Sequence, residues 1–226
     1  MASFARTVLA TTRSTTAVRP LHRALNVIRP RATAIAIAIA GPSFRRGYAT
    51  SSGESSPIDP SLTRALDLIE SGTRALEDGD LSKAAKHYRE SVETKETSEG
   101  WHNLGNCEYH LQNKIAAVEA WGKSIQLQPS ADAHTNLASA YVLDSPPKPA
   151  LAIKHLTSAL ELTPEDPEIA FNLAAVLEST GQLEPSLTLY KKAHSGGIER
   201  AAQNVRNVSA KIIGERAKSE SKEGNP

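Results

Sequence analysis

The chain has a single cysteine, so it can form neither an internal disulfide nor a metal site built from several thiolates. It also lacks a glycine-rich phosphate loop, a nucleophile elbow and an HExxH motif, and so offers no common catalytic constellation. Its apolar run at residues 32–40 is far shorter than the ~20 residues that span a bilayer. These absences predict a protein without enzyme activity, catalytic residues, cofactor, metal or transmembrane segment.

Acidic side chains are missing from the first 48 residues, which hold eight arginines and no Asp or Glu. The chain has 26 basic residues, so 18 of them lie in residues 49–226 together with all 25 acidic residues. Residues 49–226 therefore carry a net charge of −7. Nucleic-acid binding requires a clustered basic face. An acidic body behind a basic leader therefore argues against a nucleic-acid partner.

The arginine-, serine- and threonine-rich leader is typical of a mitochondrial transit peptide over residues 1–48, disordered or amphipathic-helical. The sequence around Arg46, Tyr48 and Ala49 looks like a matrix-peptidase cleavage site, so we expect a mature start at Tyr48 or Ala49. Residues 49–60, rich in Ser, Gly and Pro, predict a flexible linker. These features predict recognition by the mitochondrial import machinery and a location in the matrix, or peripheral to the inner membrane.

Residues 101–129 form the clearest structural unit of the remaining chain. Trp101, Leu104 and Gly105 begin an apolar stripe with helical spacing, and a second apolar stripe ends at Pro129, which cannot continue a helix. A polar turn at residues 112–114 separates the stripes. The unit is therefore predicted to be an αα-hairpin with one apolar side, which it can bury only against copies of itself.

Such copies are present on both sides of this unit. The pattern of residues 101–105 recurs at residues 134–138 and 170–174. The same spacing also fits residues 68–91. A further copy begins at residues 204–208, but no second helix follows it. Small residues recur where the two helices of a hairpin would cross, and large ones recur beside them. The small set is Gly105, Ala138, Ala174, Ala84, Ala117, Ala152 and Ser186; the large set is Tyr88, Trp121, Leu156 and Tyr190. Cys107 faces the same apolar side and is predicted to pack as a small hydrophobe.

This pattern resembles the tetratricopeptide repeat (TPR) family, whose signature is Trp-x2-Leu-Gly-x2-Tyr followed by Ala, Phe or Tyr, and a late Pro. The match covers roughly residues 61–216; the tyrosine expected after Gly105 is displaced to Tyr109. The resemblance implies an all-α TPR solenoid of about four helix-turn-helix repeats, at 65–97, 98–130, 131–166 and 167–198. A capping helix is expected at 199–216 and a disordered tail at 217–226.

One asparagine stands in each repeat at the same place, immediately before the buried Leu or Val of the first helix. The series is Asn103, Asn136, Asn172 and Asn204. The resemblance implies that first helices line a concave groove, where a carboxamide can both donate to and accept from a partner's backbone. The alternative is that these asparagines bond to the neighbouring repeat, and both interpretations stay open. The predicted groove residues are Asn103, Asn106, Asn136, Asn172, Asn204, His102, Tyr109 and Phe171.

Two other site hypotheses are less well supported. The carboxylate clamp of heat-shock co-chaperones, which the TPR resemblance suggests, needs two lysines and an arginine, but the matching positions hold His102, Glu168 and Asn172. His102 and His134 could approach each other, but a metal would need a third ligand such as Glu99 or His110. The sequence therefore favours a polar helix face over a metal site.

The resulting hypothesis is a mitochondrial adaptor or scaffold that binds an extended segment of a partner protein during assembly or quality control of a larger complex. The alternative is an enzyme subunit or respiratory-complex assembly factor that uses its repeats only to dock. An outer-membrane import receptor is disfavoured by the cleavable leader and the missing anchor.

Overall fold

The computed structural model describes residues 59–223, with side chains described through residue 220. Within this range the protein contains nine α-helices and no strand. They are α1 (Pro60–Glu77), α2 (Leu81–Thr94), α3 (Ser98–His110), α4 (Lys114–Leu127), α5 (Ala131–Val142), α6 (Pro149–Leu162), α7 (Pro167–Ser179), α8 (Leu183–Ser195) and α9 (Ala201–Glu223). The predicted transit peptide, its cleavage site at Arg46, Tyr48 and Ala49, and residues 49–58 of the linker lie outside the described residues.

Local capping fixes where most first helices begin. The carboxylate of Asp59 accepts from the backbone N–H of Ser61 at 2.9 Å, and Pro60 occupies the first helical turn, where its missing N–H costs nothing. Equivalent caps, each contributing ~1 kcal/mol, precede α2, α3, α5 and α7. They are Asp80, Thr97, Ser130 and Asp166.

Short turns join the two helices of each hairpin. The turns at residues 78–80, 111–113 and 180–182 each contain a residue with positive φ: Gly79, Gln112 and Gly181. Gly79 and Gly181 adopt this conformation without strain because they lack a Cβ. The turn at residues 143–148 is longer and contains Pro146 and Pro147, yet it still returns the chain into α6.

Small residues allow the paired helices to approach closely. A Cβ placed on Gly105 would lie 2.6 Å from Cδ1 of Trp121, and one on Gly72 would lie 2.8 Å from Cε1 of Tyr88. Trp121 and Tyr88 are themselves almost completely buried. The predicted alternation of small and large residues at the helix crossings is confirmed by this packing.

The core runs as a row of overlapping clusters. One cluster joins α1 to α4, a second joins α4 and α5, and the others join α5 to α7 and α7 to α9. Each helix therefore packs mainly against its neighbours in sequence, as expected of a solenoid. Among the described residues, no helix combines the length and apolar character needed to cross a membrane.

Helix α9 covers the last hairpin through Ala201, Val208 and Ile212. It continues to Glu223, so the predicted end near residue 216 and the predicted disorder over 217–223 are corrected. Residues 217–223 contain two Lys, two Glu and one Ala, which favour helix without any packing partner, besides two Ser. Low apolar content alone was therefore a poor indicator of disorder there. At the other end, the predicted linker is shortened because α1 already includes Pro60.

Candidate functional site

Asn106 connects two repeats. Its side-chain oxygen accepts from the indole N–H of Trp121 at 3.0 Å and from the carboxamide of Asn136 at 2.9 Å. Trp121 belongs to the same hairpin, whereas Asn136 belongs to the next one. Asn106 therefore holds α3, α4 and α5 together, which supports the repeat-bonding interpretation for this pair of asparagines.

Asn136 and Asn172 occupy equivalent positions in α5 and α7 and are 3% and 6% exposed. Neither side-chain oxygen has a hydrogen-bond partner within the described part of the protein. A buried acceptor left without a donor costs ~1–3 kcal/mol. The two oxygens thus lack a donor within the described chain, and both are shielded from solvent.

The outer members of the asparagine series, Asn103 and Asn204, are half-buried. Asn204 lies in hydrogen-bond contact with the hydroxyl of Tyr190, which donates to Glu178 Oε2 at 3.0 Å. Burial, reinforced by the Glu178 carboxylate, raises the pKa of Tyr190 far above its usual range. Glu178 also pairs with Lys211 of α9. Asn204 therefore takes part in fastening α9 to the last hairpin.

Phe171 lies in the core of the last repeat. It is 2% exposed, its ring meets Tyr190 edge-on at 5.3 Å, and the Arg200 guanidinium lies 4.5 Å from its ring centroid. The expectation that Phe171 lines an open groove is therefore corrected. The sequence pattern did not reveal that the chain entering α9 brings Arg200 over this ring.

His102 and Tyr109 remain partly accessible on α3. Burial lowers the pKa of His102, although the Asp132 carboxylate opposes the shift, and burial raises the pKa of Tyr109. The Tyr109 ring lies 5.6 Å from that of Trp121. Both side chains can contact a partner only over part of their surface.

The Nδ1 atoms of His134 and of His155 in α6 lie 2.9 Å apart and share a hydrogen bond. His134 therefore pairs with His155 and not, as the metal-site hypothesis required, with His102. The ring of Tyr141 stacks on His155 at 5.6 Å. Burial lowers the pKa of His155 to about 4, with His134 and Lys154 adding to the shift, and burial also lowers the pKa of His134. No cluster of three or more metal-ligating side chains is found among the described residues. The role of His155 as the partner of His134 was not predictable from the sequence, because this contact depends on how α6 is rotated against α5.

An ion pair between a buried carboxylate and a half-exposed guanidinium links the first and second hairpins. Glu108, 2% exposed, accepts from Arg89 of α2 and, at 2.8 Å, from the Asn113 carboxamide. Glu108 stands where the repeat signature has tyrosine, and this departure was the available signal for a buried acid in need of a partner. Cys107 beside it is 1% exposed, and burial raises the pKa of its thiol to about 12. The predicted packing role of Cys107 is confirmed.

Several solved structures superpose on this architecture. MamA superposes with a TM-score of 0.60 at 22% identity over 70% of this chain and 88% of its own. YrrB, described as a TPR protein with an unusual peptide-binding site, superposes with a TM-score of 0.59 at 20% identity over 66% and 78%. The chain has a tetratricopeptide-repeat fold. The predicted all-α TPR solenoid is thus confirmed.

Sequence comparison gives a more limited result. The tetratricopeptide repeat-containing protein trd-1 of Caenorhabditis elegans is 29% identical over 123 residues, or 54% of this chain. The chain spans only 16% of the length of that relative. No family model matches the chain. The similarity therefore covers about half of this chain and only a small part of the relative.

Proposed function

We propose that this TPR protein is a non-enzymatic adaptor that binds an extended segment of a partner protein along its first helices. The observation that carries the proposal is the pair of unpartnered acceptors, Asn136 Oδ1 and Asn172 Oδ1, at equivalent positions of successive first helices. The backbone N–H groups of an extended peptide are donors of the required kind. Because both oxygens are shielded from solvent, binding requires the two carboxamides to rotate towards the partner, which then supplies the missing donors. For Asn136 this rotation gives up its bond to Asn106.

Charge and fold support the same proposal. Residues 49–226 have a net charge of −7, which favours a neutral or basic segment over an acidic one. The fold is shared with YrrB, which is described as having a peptide-binding site. The positions that hold lysines in the carboxylate clamp are occupied here by His102 and Glu168. This difference argues against a co-chaperone that binds acidic C-termini.

A decisive experiment is capture of partners by the full chain, compared with Asn172→Ala alone and with Asn136→Ala plus Asn172→Ala. We expect one recovered client to be lost with either variant. Gln126→Ala, at an exposed site on α4, is the matched control and should retain it. Because Asn136 also bonds to Asn106, the single Asn172 variant is the cleaner test, and thermal unfolding must show that it stays folded. A client retained by both variants contradicts the groove proposal.

We further propose that the protein acts in the mitochondrial matrix, or at the inner membrane surface, in assembly or quality control of a larger complex. The support is the arginine-rich, acid-free leader. N-terminal sequencing of protein recovered from mitochondria should find Tyr48 or Ala49 first, and a C-terminal fluorescent fusion should co-localise with a matrix marker. An intact N-terminus or a cytosolic signal would contradict this location.

The second candidate, an accessory subunit or respiratory-complex assembly factor, is favoured by the ion pairs that stiffen the solenoid, such as Arg89–Glu108. A rigid scaffold suits permanent docking. Stoichiometric co-purification with one complex, unchanged by the Asn172 variant, would select this candidate.

A further inference from the structure

The imidazoles of His134 and His155 come from the two helices of one hairpin, and their Nδ1 atoms are 2.9 Å apart. Both rings are half-buried, and Tyr141 stacks on His155 with an interplanar angle of 21°. Helices α5 and α6 share a buried core around Ala138 and Leu156. The two nitrogens are therefore held near each other by packed helices and not by mobile loops.

We propose that His134 and His155 form a binding site for a divalent transition-metal ion of the Cu²⁺ or Ni²⁺ class, with solvent completing its coordination. Imidazole nitrogens bind such ions at about 2.0–2.1 Å, and two nitrogens 2.9 Å apart then subtend about 90° at the ion. This is the angle between adjacent ligands in the tetragonal geometry that Cu²⁺ and Ni²⁺ prefer. A tetrahedral ion would require the nitrogens to move apart.

The protonation chemistry of the pair suits a metal ion. In the hydrogen bond one Nδ1 carries the hydrogen and the other accepts it. When the ion binds, that hydrogen moves through solvent to Nε2 of the same ring, so that both Nδ1 lone pairs face the metal. Two neutral rings can therefore supply both nitrogens without releasing a proton.

Two exposed neighbours tune the electrostatics of this site in opposite directions. The Glu161 carboxylate favours positive charge at His134, whereas the Lys154 ammonium opposes it at both rings. With only two protein ligands and these opposing charges, the site binds reversibly. It is thus suited to sensing or buffering the ion rather than to holding it permanently.

The test is titration of the full chain, carrying no added histidine tag, with CuCl2 followed by electron paramagnetic resonance and with NiCl2 followed by calorimetry. We expect one saturable, reversible equivalent of Cu²⁺ whose spectrum shows two nitrogen ligands. His134→Gln and His155→Gln should each weaken binding by at least about tenfold. His110→Gln and His194→Gln, at exposed positions on α3 and α8, are matched controls and should leave it unchanged.

Two further variants test the site without touching its ligands. Lys154→Gln should tighten binding and Glu161→Gln should weaken it, and both positions are exposed, so the fold is preserved. Equal affinity in His155→Gln or a one-nitrogen spectrum would overturn the proposal.

Discussion

Gly105 is a residue at which the fold has no room for a side chain. A Cβ there would lie 2.6 Å from Cδ1 and Nε1 of Trp121, whose indole is also fixed by its hydrogen bond to Asn106. We expect Gly105→Ala to lower the free energy of unfolding by about 1–3 kcal/mol, because overpacking outweighs the better helix propensity of alanine. Urea unfolding monitored by tryptophan fluorescence measures this loss.

Gly122 supplies the matched control one residue after Trp121. A Cβ at Gly122 meets no atom within 4 Å. Gly122→Ala should therefore raise the free energy of unfolding by about 0.5–1 kcal/mol through reduced unfolded-state entropy and higher helix propensity. If the two substitutions have the same effect, the close helix approach at Gly105 is not the source of the loss.

His155 gives the protein a pH-dependent stability. Its pKa is about 4 in the folded protein and near 6.5 when unfolded, so the unfolded chain binds more protons between these values and stability falls as the pH falls through this window. After allowance for solvent access, we expect a loss of about 1–2 kcal/mol between pH 7 and 5. His155→Gln should flatten this part of the stability profile. An unchanged slope in the variant would show that other groups dominate.

Residues whose roles depend only on size were predictable from the sequence, whereas residues that depend on partners were not. The small Gly105 and the large Trp121 follow from repeat spacing, since any close helix pair needs them. The partners of Asn106, Glu108 and His134 depend on the rotation of one helix against the next, which a single sequence does not specify. The asparagine series was correctly placed on first helices, but its members proved to differ in their contacts.

At the scale of elements, α9 is the helix that closes the solenoid. Val208 and Ile212 are its main buried apolar side chains, and their removal exposes the core around Phe171 and Tyr190. Truncation after Ser195 should cost about 3–6 kcal/mol, from two buried side chains at ~1.5–3 kcal/mol each, and should promote aggregation. Size-exclusion chromatography and urea unfolding measure both effects.

Truncation after Ile213 is the control for this experiment. It removes the end of α9, whose described side chains are exposed, and with it an exposed ion pair between Arg216 and Glu184. Such pairs contribute little, so stability should change by less than about 1 kcal/mol. A large loss here would mean that residues 214–223 stabilise the fold through contacts other than core burial.

Helix existence was predictable from the sequence, while helix ends depended on the local chemistry of each boundary. Pro129 and the cap Ser130 mark the α4–α5 boundary clearly, because one residue excludes helix and the other begins it. The end of α9 has no such stop signal before Glu223. Its length therefore follows from helix propensity, which apolar patterning does not report.

At the scale of the whole molecule, the row of overlapping clusters means that stability is close to a sum of hairpins and nearest-neighbour interfaces. The first hairpin has a neighbour on one side only within the described residues, and Leu62 and Leu66 of α1 are 37% and 47% exposed. Such an end opens at lower free energy than the centre. The described solenoid is therefore expected to open from its ends while the middle hairpins stay folded.

Gly72→Ala tests this one-dimensional behaviour. Its added Cβ would lie 2.8 Å from Cε1 of Tyr88, so the substitution should loosen the packing of α1 on α2. Hydrogen exchange should then accelerate in α1 and α2 by about tenfold or more, while α7 to α9, which share no core cluster with them, keep their protection. Gly122→Ala serves as a substitution that should accelerate exchange nowhere. Equal acceleration of hydrogen exchange in all helices would instead show that the described residues unfold as one cooperative unit. In that case a partner bound at one hairpin would stabilise every other hairpin.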